Sequence, residues 1–208
     1  MYHLKMKTIK SNIGLMNLRC RNTPLFLLLI KIHKVMIIDC LGKAIFMFAV
    51  YNIIALLLFG VPKSLSDTYY LFKERNSTLK FLFPSMMTLL TFLLMPAWLE
   101  MSEGSAFQFT AFLSAAGVLF VGAAPAFKDS EMESKVHSIS AYVCAAAALA
   151  WICLVTPYWY VILIVFGIVA ALAVVTKTWK TCYIYWLEMV AFVSTFISII
   201  AYYVSNMI

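Results

Sequence analysis

Charged side chains are scarce in this chain. They make up 12% of its 208 residues, and apolar side chains make up 64%. Soluble domains average roughly 25% charged and 45–50% apolar residues. A core surrounded by water has no use for so much apolar surface, whereas a bilayer does. The composition therefore predicts a membrane protein rather than a soluble globular domain.

Residues that hold metals and cofactors are also few. His137 is the only histidine after residue 35, and the five cysteines form no C-x-x-C pair. A transmembrane haem of the paired-histidine kind needs two axial ligands, and structural zinc needs a cluster of Cys and His. The sequence also lacks a glycine-rich phosphate loop. We therefore expect no metal and no cofactor.

Long apolar runs, in contrast, are frequent. Six stretches approach the length of about 20 residues that a helix needs to cross the hydrocarbon core. Their apolar residues follow one another without the alternation that is typical of a transmembrane β-barrel. The sequence thus predicts an all-α fold, a bundle of six transmembrane helices. The predicted spans are residues 44–61, 81–99, 106–124, 137–155, 158–176 and 181–205.

The first 35 residues differ from the rest of the chain. They carry seven Lys or Arg residues and no acid, which accounts for the whole net charge of +7. One interpretation is that this basic tail is not native, or is disordered, and that translation starts at Met36. Another is that the tail binds anionic lipid headgroups; we expect no nucleic-acid partner. Residues 36–208 are the predicted transmembrane domain.

Basic residues alternate between the connections. Those after predicted spans one, three and five carry eight Lys or Arg residues, and those after spans two, four and six carry none. Basic loops tend to stay in the cytoplasm. A chain that starts at Met36 is therefore predicted to have both termini outside, in a bacterial inner membrane. With the complete tail the count is eight against eight, and the rule selects neither orientation.

Glu188 is an acidic residue inside a predicted span. It follows Lys180 by eight residues, about 12 Å along a helix at 1.5 Å per residue. Acids at such depth pair with another group or face a wet cavity. One interpretation is that Glu188 relays protons or contacts a ligand. The other is that it forms a hydrogen bond to a polar residue of another helix, such as Asn52 or Gln108.

His137 lies at the predicted start of span four, on the same face as the start of span six. Imidazole titrates near neutral pH and can act as a general base. We therefore hypothesise a His137–Glu188 pair, which requires adjacent helices. His137 is also a candidate catalytic base, with Ser66 as nucleophile and Asp67 beside it. The alternative is that the segment from Ser64 to Asp67 caps a helix.

A longer pattern joins several of these features. Gly122 and Pro125 end the third span, and His137 and then Ala141 follow. This pattern, within a six-span layout, resembles the membrane family called domain of unknown function 998, which is similar in pattern to the DRAM/Sfk-type six-helix proteins. The resemblance covers nearly all of residues 36–208. It implies a six-helix fold and a recurring position for His137, and it implies no particular activity.

Three classes of function fit these residues. The sequence favours a non-enzymatic bundle that binds or senses a lipid or small apolar ligand, or acts as an accessory protein, because that role needs only an apolar pocket with a few polar groups. Membrane lipids are its predicted partners. The alternatives are a proton-coupled transporter of small solutes that uses Glu188 and His137, and an intramembrane lipid hydrolase. A hydrolase requires a serine oxygen within about 3.2 Å of His137, directly or through one water.

Overall fold

A computed structural model describes residues 24–206 of the chain. Within that range the fold is all-α, with seven α-helices, one short 3-10 helix and no strand. The all-α part of the predicted fold class is therefore confirmed. The helices are α1 (Pro24–Phe59), α2 (Thr68–Arg75), α3 (Leu82–Ser102), α4 (Phe109–Ala123), α5 (Glu131–Val155), α6 (Trp159–Val175) and α7 (Tyr183–Ser205), and the 3-10 helix covers Leu79–Phe81.

Four helical stretches are long and apolar enough to cross a membrane. They are Lys31–Phe59, Leu79–Ser102, Glu131–Val155 and Tyr183–Ser205. Their length and composition indicate a membrane protein, as the sequence predicts. The helices α4 and α6 are also apolar but shorter, with 15 and 17 residues. The helix lengths therefore do not by themselves confirm six spans.

Two helix boundaries differ from the predicted ones in a way that affects the site. Helix α5 begins at Glu131 rather than at residue 137, so His137 lies in its second turn. The cause is local: Ser130 accepts a hydrogen bond from the backbone N–H of Glu133, and the acids of the first turn suit the positive end of the helix dipole. Helix α7 begins at Tyr183, so Glu188 lies about 7.5 Å from the start of the helix at 1.5 Å per residue.

The chain divides into two units, one that ends at Asp39 and one that begins at Cys40. In the first unit, residues 24–39 are helical and belong to α1. Residues 24–35 fall within the predicted basic tail, and the rest of that tail, residues 1–23, lies outside the described residues. The second unit contains the remainder of α1 and all the other helices, including every candidate site residue.

Helix α4 packs closely against both α3 and α5. A Cβ built on Gly117 would lie 2.6 Å from Cβ of Cys144, and one built on Gly122 would lie 2.9 Å from Cβ of Met87. Both distances are shorter than side-chain contacts allow, so these approaches require glycine. The packing fixes the end of α4, and with it the position of Ala124 beside the site.

The connections lie at two ends of the second unit. We call one of them the basic end; it consists of residues 60–81, 124–130 and 176–182. At the opposite end, the Tyr203 hydroxyl donates to Glu100 Oε2 at 2.9 Å, and Trp151 Nε1–H donates to Ser102 Oγ at 2.7 Å. These bonds join the ends of α3, α5 and α7. The predicted site residues other than Asn52 and Gln108 lie at or near the basic end.

Candidate functional site

The segment that follows α1 lies along the first two turns of α7. Gly60 leaves α1 with a φ of 71°, a left-handed conformation that favours glycine. Lys63 O then accepts a hydrogen bond from the Tyr185 backbone N–H at 3.1 Å, and the Leu65 N–H donates to Glu188 Oε2 at 2.6 Å. Tyr185 and Glu188 are three residues apart and share a face of α7. The segment therefore runs along that face.

Glu188 uses one carboxylate oxygen to hold this segment. Oε2 satisfies the backbone N–H of Leu65, a residue with no exposed surface. Leaving such a buried donor without a partner costs about 1–3 kcal/mol. Among residues 24–206, Oε1 accepts no hydrogen bond, and the Glu188 side chain is only half-buried. One oxygen is thus structural, and the other is available to a ligand.

The polar residues that the sequence suggests as partners of Glu188 lie elsewhere. Asn52 donates to Phe48 O at 2.8 Å, and its Oδ1 accepts from the Tyr185 hydroxyl at 3.2 Å. Gln108 directly precedes α4, at the opposite end of the unit. Sequence reasoning missed Leu65 because its contribution is a backbone N–H, which no side-chain pattern reveals.

His137 is held against the connection between α4 and α5. Its ring stacks on the ring of Phe127, with centroids 4.4 Å apart and planes inclined by 19°. Its Nδ1 lies 3.0 Å from Ala124 O. Because a carbonyl oxygen only accepts, Nδ1 carries a proton, and Nε2 of the neutral ring is an acceptor. The imidazole is therefore oriented by its neighbours before a ligand binds.

His137 and Glu188 lie on adjacent helices, as the pairing hypothesis requires. Both side chains line one cavity. In the described structure they do not bond to each other, because His137 bonds to Ala124 O and Glu188 to the Leu65 N–H. The structure brings the two residues to the same space without pairing them.

Ser64 and Ser66 form a short hydrogen-bonded unit. Their Oγ atoms lie 3.0 Å apart, and Ser64 Oγ also accepts from the backbone N–H of Asp67 at 3.1 Å. The second bond is that of a capping serine to the residue three positions later. In this part of the described chain neither serine forms a hydrogen bond to His137. Ser64 thus caps the turn that leads into α2. Asp67, the N-cap residue of α2 itself, forms no side-chain cap hydrogen bond.

Asp67 joins the segment after α1 to the connection before α5. Its carboxylate forms an ion pair with Lys128. The Tyr70 hydroxyl accepts from the Lys128 backbone N–H at 2.6 Å, and the Lys128 ammonium lies 4.6 Å from the centre of the Tyr70 ring. Burial raises the pKa of Tyr70 above its ordinary value, so the phenol keeps its proton at neutral pH. We call these three residues the latch.

A second ion pair lies beside the latch. Lys73 Nζ lies 3.3 Å from Asp129 Oδ2, and both side chains are exposed. The hydrogen bond and charge of Asp129 raise the pKa of Lys73 above its usual value. A lysine whose pKa is higher in the folded than in the unfolded state stabilises the fold fully below the unfolded pKa, and this contribution is lost as the pH rises through the folded pKa. The pair is therefore intact at neutral pH.

A cavity of about 260 Å³ opens between α5 and α7 at the basic end. We call it the outer cavity. Its polar lining residues are Ser64, Ser66, His137, Ser138 and Glu188. Its apolar and aromatic lining residues are Phe127, Ala141, Tyr142, Ala145, Tyr183, Ile184 and Leu187. The wall is thus mainly apolar, and it includes all predicted site residues except Asp67, Asn52 and Gln108.

A smaller cavity of about 50 Å³ lies deeper, among α3, α4, α5 and α7. Ala141, Ala145 and Glu188 line both cavities, so Glu188 lies between them. Trp98 also lines the inner cavity, and its Nε1–H has no partner in the described structure. A space of this size accommodates a few water molecules. The Glu188 carboxyl therefore borders two spaces of different size.

The aromatic and apolar residues of the site were missed by sequence reasoning. Phe127, Tyr142 and Leu187 belong to apolar stretches that look alike in the sequence, and no local signal separates a cavity wall from a lipid-facing surface. Polar residues were easier to identify because they are rare in such stretches.

Within residues 24–206, no group of three or more His, Cys, Asp or Glu side chains is arranged to hold a metal ion. Comparison with known proteins found no matching family model, curated protein or solved structure. The resemblance to the family of unknown function 998 therefore stays a prediction.

Proposed function

We propose that this chain is a six-span membrane protein that binds an amphipathic, lipid-like ligand in the outer cavity. The observation that carries the proposal is the position of that cavity. Its apolar wall continues onto the exposed surfaces of α5 and α7, and its polar groups include a half-buried carboxyl. Ligand sites of this kind combine a largely apolar lining with a few convergent polar groups.

The rim of the outer cavity consists of large exposed side chains. Tyr142 on α5 is 76% exposed, and Tyr183 and Leu187 on α7 are 57% and 54% exposed. In a bilayer such side chains contact acyl chains or the interfacial region, where tyrosine is favoured. A ligand dissolved in the bilayer reaches the cavity between these two helices without crossing water. This lateral opening is what a lipid binder needs.

Six spans are compatible with the two shorter helices. At 1.5 Å per residue α4 and α6 measure about 22 and 25 Å, against a hydrocarbon thickness of about 30 Å. Gly117 and Gly122 bury α4 against its neighbours, so protein rather than lipid surrounds much of it. Helix α6 presents exposed Leu163, Ile164 and Leu172, which suit contact with lipid.

The proposal includes an orientation. In a chain that starts at Met36, the basic end lies in the cytoplasm because its connections carry most of the Lys and Arg residues. The outer cavity then opens near the cytoplasmic interface, and we expect the membrane to be the inner membrane of a bacterium. Binding of anionic headgroups by the basic tail is a separate prediction about residues that include 1–23.

Photolabelling of the protein in lipid nanodiscs tests the proposed site. The probe is a hexadecanol that carries a diazirine in its chain, and labelled peptides are mapped by mass spectrometry. We expect labels on α5 and α7 around Tyr142 and Leu187. Ala145→Phe fills the space where both cavities meet and should reduce this labelling about tenfold, as expected for loss of more than about 1.4 kcal/mol of binding free energy.

Ala146→Phe is the matched control. Ala146 is adjacent in sequence, is exposed, and does not line either cavity, so the control variant should be labelled like the parent protein. Labelling that is spread evenly over exposed residues of α6 and is unchanged in Ala145→Phe would contradict the proposal, because it would reflect contact with bulk lipid only.

A further inference from the structure

We infer that the ligand of the outer cavity is a cationic amphiphile, a long-chain primary amine in its ammonium form, whose head binds Glu188. The inference rests on the proposed function and adds the chemical class of the ligand. It follows from the charges and hydrogen-bonding groups that face the cavity and from the residues that are missing from its wall.

Two polar groups of the cavity act only as hydrogen-bond acceptors. Oε1 of Glu188 accepts no hydrogen bond in the described structure. The neutral His137 ring offers Nε2 as an acceptor because Nδ1 faces Ala124 O. The hydroxyls of Ser64 and Ser66 can donate or accept, and they already bond to each other. The hydroxyls of Ser138, Tyr142 and Tyr183 in the wall can also donate or accept. A ligand head that donates several hydrogen bonds satisfies both groups that only accept, Glu188 Oε1 and His137 Nε2.

The only acidic side chain in the walls of the two cavities has no basic partner there. Neither cavity has a Lys or Arg among its lining residues, and Glu188 is the only acid. Asp67, which interacts electrostatically with Glu188, is also an acid, and Lys128 is already paired with it. A carboxylate at such a position requires a cation or loses its charge. An ammonium group supplies the missing charge, whereas a phosphate or carboxylate head is repelled.

The aromatic rings of the wall favour the same ligand. Tyr142 and Tyr183 line the outer cavity. An ammonium group is attracted to aromatic faces, by about 0.5–1 kcal/mol at exposed sites and more when water is excluded. The apolar chain of the ligand lies over Ile184 and Leu187, toward the bilayer. Head and chain thus each have a complementary part of the site.

Competition against the hexadecanol photolabel tests the inference. Hexadecylamine, hexadecanol and hexadecanoate are added at equal mole fractions to nanodiscs that contain the protein. In the parent protein we expect the amine to displace half of the label at a mole fraction about tenfold lower than the alcohol, the gain expected of a charge-assisted hydrogen bond. Hexadecanoate should displace less than the alcohol.

Two variants test whether the advantage of the amine over the alcohol depends on the charge of Glu188. Glu188→Gln keeps an amide oxygen for the Leu65 N–H but removes the charge, and it should reduce the tenfold advantage of the amine to less than about threefold. Glu131→Gln removes an exposed charge of α5 that lies outside the cavity and should leave the advantage unchanged.

The outcomes of these experiments distinguish a failure of this inference from a failure of the proposed function. Equal displacement by all three competitors, or an advantage of the amine that persists in Glu188→Gln, would overturn the amine assignment while the cavity remained a ligand site. Failure of the photolabel to reach the cavity of the parent protein would overturn the proposed function and this inference together. Loss of the amine advantage in Glu188→Gln alone would support both.

Discussion

The Leu65 N–H and the Glu188 carboxylate form a hydrogen bond of 2.6 Å between residues that are 123 positions apart in the chain. The bond joins the segment after α1 to the second turn of α7. It places the carboxyl where its other oxygen borders both cavities. A structural role and a ligand-binding role therefore coexist in one side chain, and they are separable by substitution.

Glu188→Ala is expected to destabilise the protein more than Glu188→Gln. The alanine leaves the buried Leu65 N–H without a partner, which costs about 1–3 kcal/mol, whereas the glutamine retains an acceptor oxygen. The measurement is the free energy of unfolding in detergent for both variants. Glu131→Ala, which removes only an exposed pair with Lys135, should stay within about 0.5 kcal/mol of the parent. Equal loss in the alanine and glutamine variants would contradict this account.

Gly117→Ala is expected to separate α4 from α5. The added Cβ would lie 2.6 Å from Cβ of Cys144 and 2.9 Å from the Ser140 carbonyl oxygen, and overpacking of this kind costs about 1–3 kcal/mol. Gly167→Ala on α6 is the control, because a Cβ there meets nothing within 4 Å. Unfolding free energies of the two variants provide the comparison. A loss of the same size in both would mean that the α4–α5 approach is not tight.

Much of the fold could be predicted from the sequence, because the apolar composition of the chain by itself indicates membrane helices. Unbroken apolar runs locate the other five long helices to within about six residues, and Gly60 with Pro62 marks the end of α1. The start of α1 was predicted wrongly, because the helix begins at Pro24 and not at residue 44. The start of α5 was predicted too late. The helix begins with a polar turn, capped by Ser130 and containing Glu131 and Glu133, and hydropathy alone does not assign such a turn to a membrane span. A helix cap outweighs local polarity there.

The site could be predicted only in its polar part. Glu188 and His137 are conspicuous in apolar surroundings, and the order of the spans places them toward the same face of the membrane. That their helices are adjacent is shown only by the structure. Their partners are a backbone N–H, a backbone carbonyl and the ring of Phe127. Those contacts depend on how loops fold over helix ends, and such geometry leaves no periodic trace in the sequence.

The Asp67–Lys128 pair of the latch is expected to contribute measurably to stability. The Asp67 side chain is 12% exposed, but that of Lys128 is 48% exposed, so solvent screening limits the coupling to about 1 kcal/mol. A double-mutant cycle with Asp67→Ala and Lys128→Ala measures it from four unfolding free energies. The Glu131–Lys135 pair, exposed on both sides, should give less than about 0.5 kcal/mol. A coupling energy for Asp67 and Lys128 no larger than that for Glu131 and Lys135 would mean that the latch does not hold the two connections together.

Cysteine labelling of intact cells is expected to place position 129 in the cytoplasm and position 103 outside. Asp129 lies beside Lys73 at the basic end, and Glu103 lies in the connection at the opposite end. In a background without the native cysteines, Glu103→Cys should react with a membrane-impermeant maleimide. Asp129→Cys should react only after the cells are permeabilised, because α4 carries the chain back across the membrane.

Labelling at position 129 distinguishes an arrangement with six spans from one with four. If only the four long helices crossed, α4 would stay on the outer side, and Asp129→Cys would be labelled together with Glu103→Cys. Lys180→Cys would remain protected in both arrangements. Helices α3, α4, α5 and α6 cross between the end of α1 and Lys180 in the six-span arrangement, and only α3 and α5 cross in the four-span arrangement, so Lys180 lies on the same side as the end of α1 in both. Labelling at 103 alone therefore supports the short helix α4 as a true span, and with it a cytoplasmic opening for the outer cavity.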